Sequence, residues 1–267
     1  MLERYRFVIL LVISTAVLWS CASAPPPLGP PLPPPPTHAH GQALWGIVHG
    51  QCVPAQEAGA APAPCQSVSL AGGEARGFVL LKDRTGATQY LLMPTRLITG
   101  IEDPAVLAPD ATNYFAKAWA ARGLIDQRLG HALAREDASV AVNSPYGRSQ
   151  DLLHLHIDCL RADVREALRA DAAGIGPDWS RAPIVLAGQP YRVEAIASDD
   201  LGVSPFRRLA EGLRVPPGEM GDWTLVLAGA RLADGRDGFY LLAGRADPAH
   251  GDNGSGEDLQ DHACAGR

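Results

Sequence analysis

The 267-residue chain has no stretch in which lysine and arginine gather into a stripe, and its formal net charge is −6. Bulk nucleic acid is disfavoured as a partner, because gripping a phosphate backbone needs an extended basic footprint. A single nucleotide is not excluded. No CxxC pair occurs anywhere, which leaves little basis for a structural zinc site of the usual spacing. Charged residues amount to 19% and hydrophobic ones to 46%, ordinary proportions for a folded domain.

The N-terminus sets where that domain sits. Glu3, Arg4 and Arg6 precede an apolar run from Phe7 to Trp19, followed by Ser20, Cys21 and Ala22. A basic start followed by such a run marks residues 1–24 as a secretory targeting or anchoring segment. Two forms remain open. Leu18-Trp19-Ser20-Cys21 approximates a lipobox, giving a lipoprotein anchored at Cys21; uncleaved, Phe7 to Ala24 is at the short end of what spans a bilayer as a helix. Both tether the body to the inner membrane on its periplasmic side. Residues 25–40 are dominated by proline and read as an extended spacer, and 41–267 as one folded domain. Four cysteines then remain in an oxidising compartment, where disulfides persist. Of three possible pairings, Cys52–Cys65 and Cys159–Cys264 are favoured.

The body reads as α+β, an antiparallel sheet with packed helices. Gly77 to Leu81 and Gln89 to Met93 form a hairpin around Asp83-Arg84-Thr85-Gly86, ended by Pro94. Asp110 can cap a helix running to about Leu129, with Phe115, Trp119, Ile125 and Leu129 as its apolar stripe. Ser139 to Asn143 and Leu152 to Leu160 are strands, Asp163 to Ala170 a short helix, and Trp223 to Ala228 with Phe239 to Leu242 a second hairpin. Gly251 to Gly256 is a flexible polar loop.

Chemistry concentrates in Leu152-Leu153-His154-Leu155-His156-Ile157. Side chains alternate faces along a strand, so His154 and His156 share one side while Leu153, Leu155 and Ile157 enter a core. Paired imidazoles suit phosphoryl or nucleotidyl transfer, metal ligation, or a half-exposed strand with no chemistry. Upstream, Ser144 to Ser149 is a glycine-containing turn with two hydroxyls and Arg148, suited to an anion.

Together these residues resemble the histidine-triad superfamily, and within it the CDP-diacylglycerol pyrophosphatase family. The likeness rests on Lys82-Asp83-Arg84, Gln89 to Pro94, Asn143-Ser144, Gly147 to Asp151, the run from His154 through Cys159 and Arg161 to Arg165, and Gln260-Asp261-His262 with Cys264. It implies hydrolysis of CDP-diacylglycerol to CMP and phosphatidate, with His154 as nucleophile, His156 stabilising charge or assisting the leaving group, and no metal or cofactor. Asn143, Arg148, Ser149 and Gln150 fall on phosphate-contacting positions and Asp83 on a ribose-binding one, although a turn explains that aspartate equally well. Leu152 stands where the triad has its first histidine; a backbone carbonyl could hold His154 in its place. Two other readings stay open: a hydrolase or transferase for another nucleotide-linked substrate, and a non-catalytic envelope module. The remaining histidines read blandly, with His38 and His40 exposed in the spacer, while His262 could be brought to the site by a Cys159–Cys264 disulfide.

Overall fold

Strand propensity, alternation and a glycine turn build the first hairpin as expected. The computed structural model describes residues 29–39, 41–197 and 201–266. In it β1 (Ser67–Ser69) pairs with β2 (Phe78–Lys82), and β2 with β3 (Tyr90–Pro94), all antiparallel. Gly86 turns the hairpin at φ +72°, and a Cβ there would lie 2.6 Å from the His262 Cβ, so both backbone angle and space call for glycine.

The sheet continues through β4 (Ala138–Val142), β5 (Leu155–Leu160), β6 (Ile184–Leu186), β7 (Gln189–Ile196), β8 (Trp223–Arg231) and β9 (Asp237–Arg245). Its order is β1-β2-β3-β5-β4-β8-β9-β7-β6, and the short β10 (Gln260–Asp261) also pairs with β5. This open antiparallel sheet with a few helices is the α+β class anticipated. The β6–β7 hairpin was not anticipated; its turn rests on Ala187 and Gly188, both at positive φ.

One sheet face buries the main core. Leu155, Ile157, Val140 and Val142 point into it, beneath α3 (Tyr114–Ala120), α4 (Gly123–Leu129) and α6 (Pro205–Gly212). Phe115 meets Phe206 edge-on at 5.2 Å and Trp119 meets Phe239 at 4.9 Å. Truncating Phe115, fully buried here, would cost about 3–5 kcal/mol. On the opposite face α5 (Ala162–Ala170) covers a second cluster with Val226, Tyr240 and Leu242.

Three expectations need correction. The anticipated helix from Asp110 to Leu129 is two: the Asn113 side chain caps α3 by accepting from Ala116 N at 3.2 Å, and the chain turns at Ala121–Arg122 before α4. Asp110 instead pairs with Arg76 at the surface. The strand expected from Leu152 begins at Leu155, because Asp151 N and Leu153 N bond to Gly41 O and Ile98 O rather than to a strand. The supposedly flexible Gly251–Gly256 loop is anchored, with Ser144 N on Gly254 O at 2.9 Å and Ser144 Oγ on Asn253 O at 2.6 Å.

Before the sheet comes a compact helical segment: α1 (Ala43–Ile47), a π turn (Val48–Cys52) and α2 (Val53–Glu57), closed by the Cys52–Cys65 disulfide. The second disulfide joins Cys159 to Cys264. Among the described residues no helix is long and apolar enough to cross a membrane; the N-terminal apolar run lies outside them.

Candidate active site

Strand alternation puts His156 on the sheet face away from the main core, with Leu155 and Ile157 on the other. His154, one residue before the strand, joins it: the two rings lie 4.9 Å apart, inclined at 67°. Both histidines are buried and border a cleft of about 930 Å³, whose walls include Asp83, the Asn143 to Gln150 turn, Ser255 and Glu257.

The two rings are held differently. His154 Nδ1 lies 2.6 Å from the Leu152 carbonyl. A carbonyl only accepts, so Nδ1 carries the proton and Nε2 the lone pair. Burial, then the neighbouring His156, pushes the His154 pKa down to about 3, so the ring is neutral across the physiological range. Leu152 turns its side chain into a small apolar cluster with Val48, Val79 and Met93 and offers its backbone to His154.

His156 Nδ1 is 3.0 Å from Glu257 Oε1. Glu257 also accepts from Gln89 Nε2 at 2.9 Å and from Asn143 Nδ2 at 2.6 Å. Burial alone would raise the Glu257 pKa, but the hydrogen bonds from His156, Gln89 and Asn143 hold it well below the usual carboxylate range. A carboxylate so held fixes the His156 ring with Nδ1–H towards it. His156 Nε2 is then a buried polar atom without a protein partner, an arrangement that buried polar atoms rarely tolerate unless a ligand meets them.

The expected contact residues are present around the cleft but differently engaged. The two Asn143 amide atoms bond to Glu257, Nδ2 on Oε2 and Oδ1 to the backbone N. Arg148 forms a two-point ion pair with Glu102 at 2.6 and 2.7 Å, and reaches Asp151 at 3.4 Å. Gln150 Oε1 accepts from Leu44 N at 3.1 Å, tying α1 to the turn. Asp83 Oδ1 accepts from Thr85 N at 3.0 Å, the turn role. Ser149 is exposed on the cleft wall. His38 is not exposed as expected; it pairs with Asp151 at 2.8 Å. His40 lies outside the described residues. His250 also has a partner, Asp247, at 2.7 Å.

The family model for CDP-diacylglycerol pyrophosphatase matches residues 39–266. A CDP-diacylglycerol pyrophosphatase of Yersinia pestis is 39% identical over 227 residues, covering 85% of each chain. The chain belongs to the CDP-diacylglycerol pyrophosphatase family. Membership makes the chain a pyrophosphatase, and its cleft holds one neutral imidazole beside a second that a carboxylate braces.

Two functional candidates in this family member escaped the reading of its sequence: Glu257 and Gln89, 168 residues apart, meet beside His156. Asp158, fully buried, accepts from Thr88 Oγ1 at 2.7 Å and Cys159 N at 2.9 Å and pairs with His262 Nδ1 at 2.8 Å. That bond, foremost, raises the His262 pKa. His262 Nε2 in turn lies 4.0 Å from Glu257 Oε1. Glu257 carries no motif of its own; its one local signal is its place just before Gln260-Asp261-His262. Asp158 is also the carboxylate of the tightest metal-like cluster among the described residues, with Cys159 and Cys264. Those sulfurs form a disulfide, so the cluster offers no thiolate.

Proposed function

We propose that the chain hydrolyses CDP-diacylglycerol to CMP and phosphatidate through a covalent nucleotidyl-histidine. The observation that carries this reading is the Leu152 carbonyl on His154 Nδ1. It fixes the tautomer whose Nε2 lone pair attacks, without the missing histidine. In the first step Nε2 forms a bond to the phosphorus bearing cytidine, and the bond from that phosphorus to the bridging oxygen breaks. Phosphatidate leaves with the bridging oxygen, which takes the Nε2 proton of a His156 imidazolium whose Nδ1–H stays on Glu257, and that ring becomes neutral. In the second step water attacks the same phosphorus and returns a proton to His156. The P–N bond then breaks, its electron pair goes back to His154 Nε2, and CMP is released.

Glu257 keeps His156 oriented and compensates its charge as the proton moves. Ser149, the backbone N–H groups of Arg148 and Ser149, and the positive charge of Lys82 at the cleft would stabilise phosphate charge. The body would work on the periplasmic side of the inner membrane, tethered through residues 1–24 as a single span or a lipoprotein at Cys21, so that enzyme and lipid meet at one surface.

The test is release of CMP from CDP-diacylglycerol by the parent and by His154→Ala, with acid-sensitive, base-stable nucleotide labelling of the quenched parent as the second readout. His154→Ala should release no CMP and take no label. Turnover at the parental rate in that variant would end the nucleophile assignment. A chelator should leave the parental rate unchanged.

A further inference from the structure

One stretch of the surface stands out for what it does not carry. Between Gly41 and Gly73 the sole Asp, Glu, Lys or Arg is Glu57, in a chain where such residues make up 19%. This is the helical segment closed by Cys52–Cys65 together with its exposed loop Ala58 to Pro64, composed of alanine, glycine and proline. A stretch with this single charge can meet an apolar surface at little cost in stripped charge hydration.

The segment forms a wall of the catalytic cleft. Ala43, Leu44, Ile47 and Pro64 of the segment are among its lining residues, Leu44 and Ile47 packing with Leu81 and Leu91 in one apolar cluster, while Asn253, Ser255 and Asp258 of the 251–258 loop supply polar lining. Lys82 and Arg84 also border the cleft. The cleft is therefore amphipathic, apolar beside the helical segment and polar towards the 251–258 loop, with both histidines opening into it. The wall is rigidly tied to the chemistry: Gln150 Oε1 holds Leu44 N, four residues from His154, and Asp151 N bonds to Gly41 O at 2.7 Å. The chain that precedes it runs along the same rim, where Tyr146 Oη donates to Pro33 O at 2.5 Å and His38 pairs with Asp151. Spacer residues Pro33 and His38 thus meet the domain at this lip.

We infer that the segment from Gln42 to Cys65 is the lipid-facing lip of the cleft, its Leu44–Ile47 face receiving the acylglycerol end of the substrate while the nucleotide end lies towards the 251–258 loop. This rests on the proposed hydrolysis and assigns the two halves of its substrate to opposite walls. A lipid lying on Leu44 and Ile47 removes their half-buried side chains from water, which favours long acyl chains. The uncharged loop Ala58 to Pro64 rests on the bilayer surface without desolvating a charge.

The full chain, reconstituted in vesicles, is assayed on long-chain CDP-diacylglycerol in the same bilayer and on a water-soluble dibutyryl analogue. Leu44→Glu/Ile47→Glu should lower the ratio of kcat/KM on the long-chain substrate to kcat/KM on the soluble analogue about tenfold or more. Ala61→Glu/Ala63→Glu, which alters only exposed positions, should shift the two substrates in the same selective way and guards against a folding defect in the first variant. Equal losses on both substrates in both variants, or no loss on the long-chain substrate, would overturn the assignment. A fault in the catalytic reading would show elsewhere, as undiminished activity of His154→Ala on both substrates.

Discussion

Replacing Cys159 and Cys264 together by alanine removes a cross-link between residues 105 apart in sequence. Loop-closure entropy for that separation corresponds to about 4.8 kcal/mol at 25 °C, against about 2.9 kcal/mol for the 13-residue separation of Cys52 and Cys65. The two variants should therefore differ in stability by roughly 2 kcal/mol, the long-range pair costing more. Their activities should differ in kind. The chain that Cys264 ties to β5 carries Glu257, Gln260 and His262, and Gln260 Nε2 bonds to both Ser139 Oγ and the His156 carbonyl. With the tie cut, the stretch carrying Glu257 keeps its hydrogen bonds and the two-residue β10 pairing but loses its one covalent hold on β5. A charge-assisted bond of about 1.5–3 kcal/mol to His156 is then weakened, lowering kcat by about tenfold or more even while the protein stays folded. The assays are urea unfolding at fixed temperature and CMP release well below the unfolding midpoint. Equal destabilisation by the two variants, or a folded Cys159→Ala/Cys264→Ala protein with parental kcat, would refute this reasoning.

Other outcomes follow from the same geometry. His156→Ala should leave slow residual CMP release where His154→Ala leaves none, because only His154 forms the covalent bond; equal and complete loss in both would remove the division of roles. Glu257→Gln keeps the shape but withdraws the charge that His156 faces, and should lower kcat by about 10- to 100-fold with little change in KM; a purely KM effect would contradict the bracing role. His262 has a folded pKa raised by Asp158, so its contribution to stability is fully present below about pH 6.5 and is lost as pH rises through the raised value. Urea midpoints of the parent and His262→Gln should differ most in acid and converge in alkali; a gap that widens with pH would contradict the pairing.

Much of the fold was legible because its signals are local. The Gly77 to Pro94 hairpin announces itself by alternation around a glycine turn, and the His154-x-His156 spacing places both rings on one face through the two-residue period of extended chain. The even number of cysteines pointed to disulfides, and the pairing favoured among three is the one the structure holds. The helix break at Ala121–Arg122 was not legible, because the apolar stripe of Phe115, Trp119 and Ile125 continues across it and only packing against α6 and the sheet decides where the chain turns. The β6–β7 hairpin was missed for a related reason: Ile184 to Leu186 is short, and its strand character depends on pairing with Gln189 to Ile196.

At the candidate site, residue types were legible and partners were not. Asn143, Arg148 and Gln150 read as anion contacts, since amide and guanidinium groups serve phosphate as readily as protein. Only the folded chain brings Glu257 to Asn143 across 114 residues, Glu102 to Arg148 across 46 and Leu44 to Gln150 across 106. Sequence by itself determined that the two histidines would stand side by side and that four cysteines could pair, because each depends on spacing or on residue type, and its motifs carried the family resemblance. Tertiary structure alone decided which carbonyl orients His154, which carboxylate braces His156 and which wall of the cleft is apolar. Hydrogen bonds and burial are satisfied by whatever the fold brings within 3 Å or so, and distance along the chain says nothing about that.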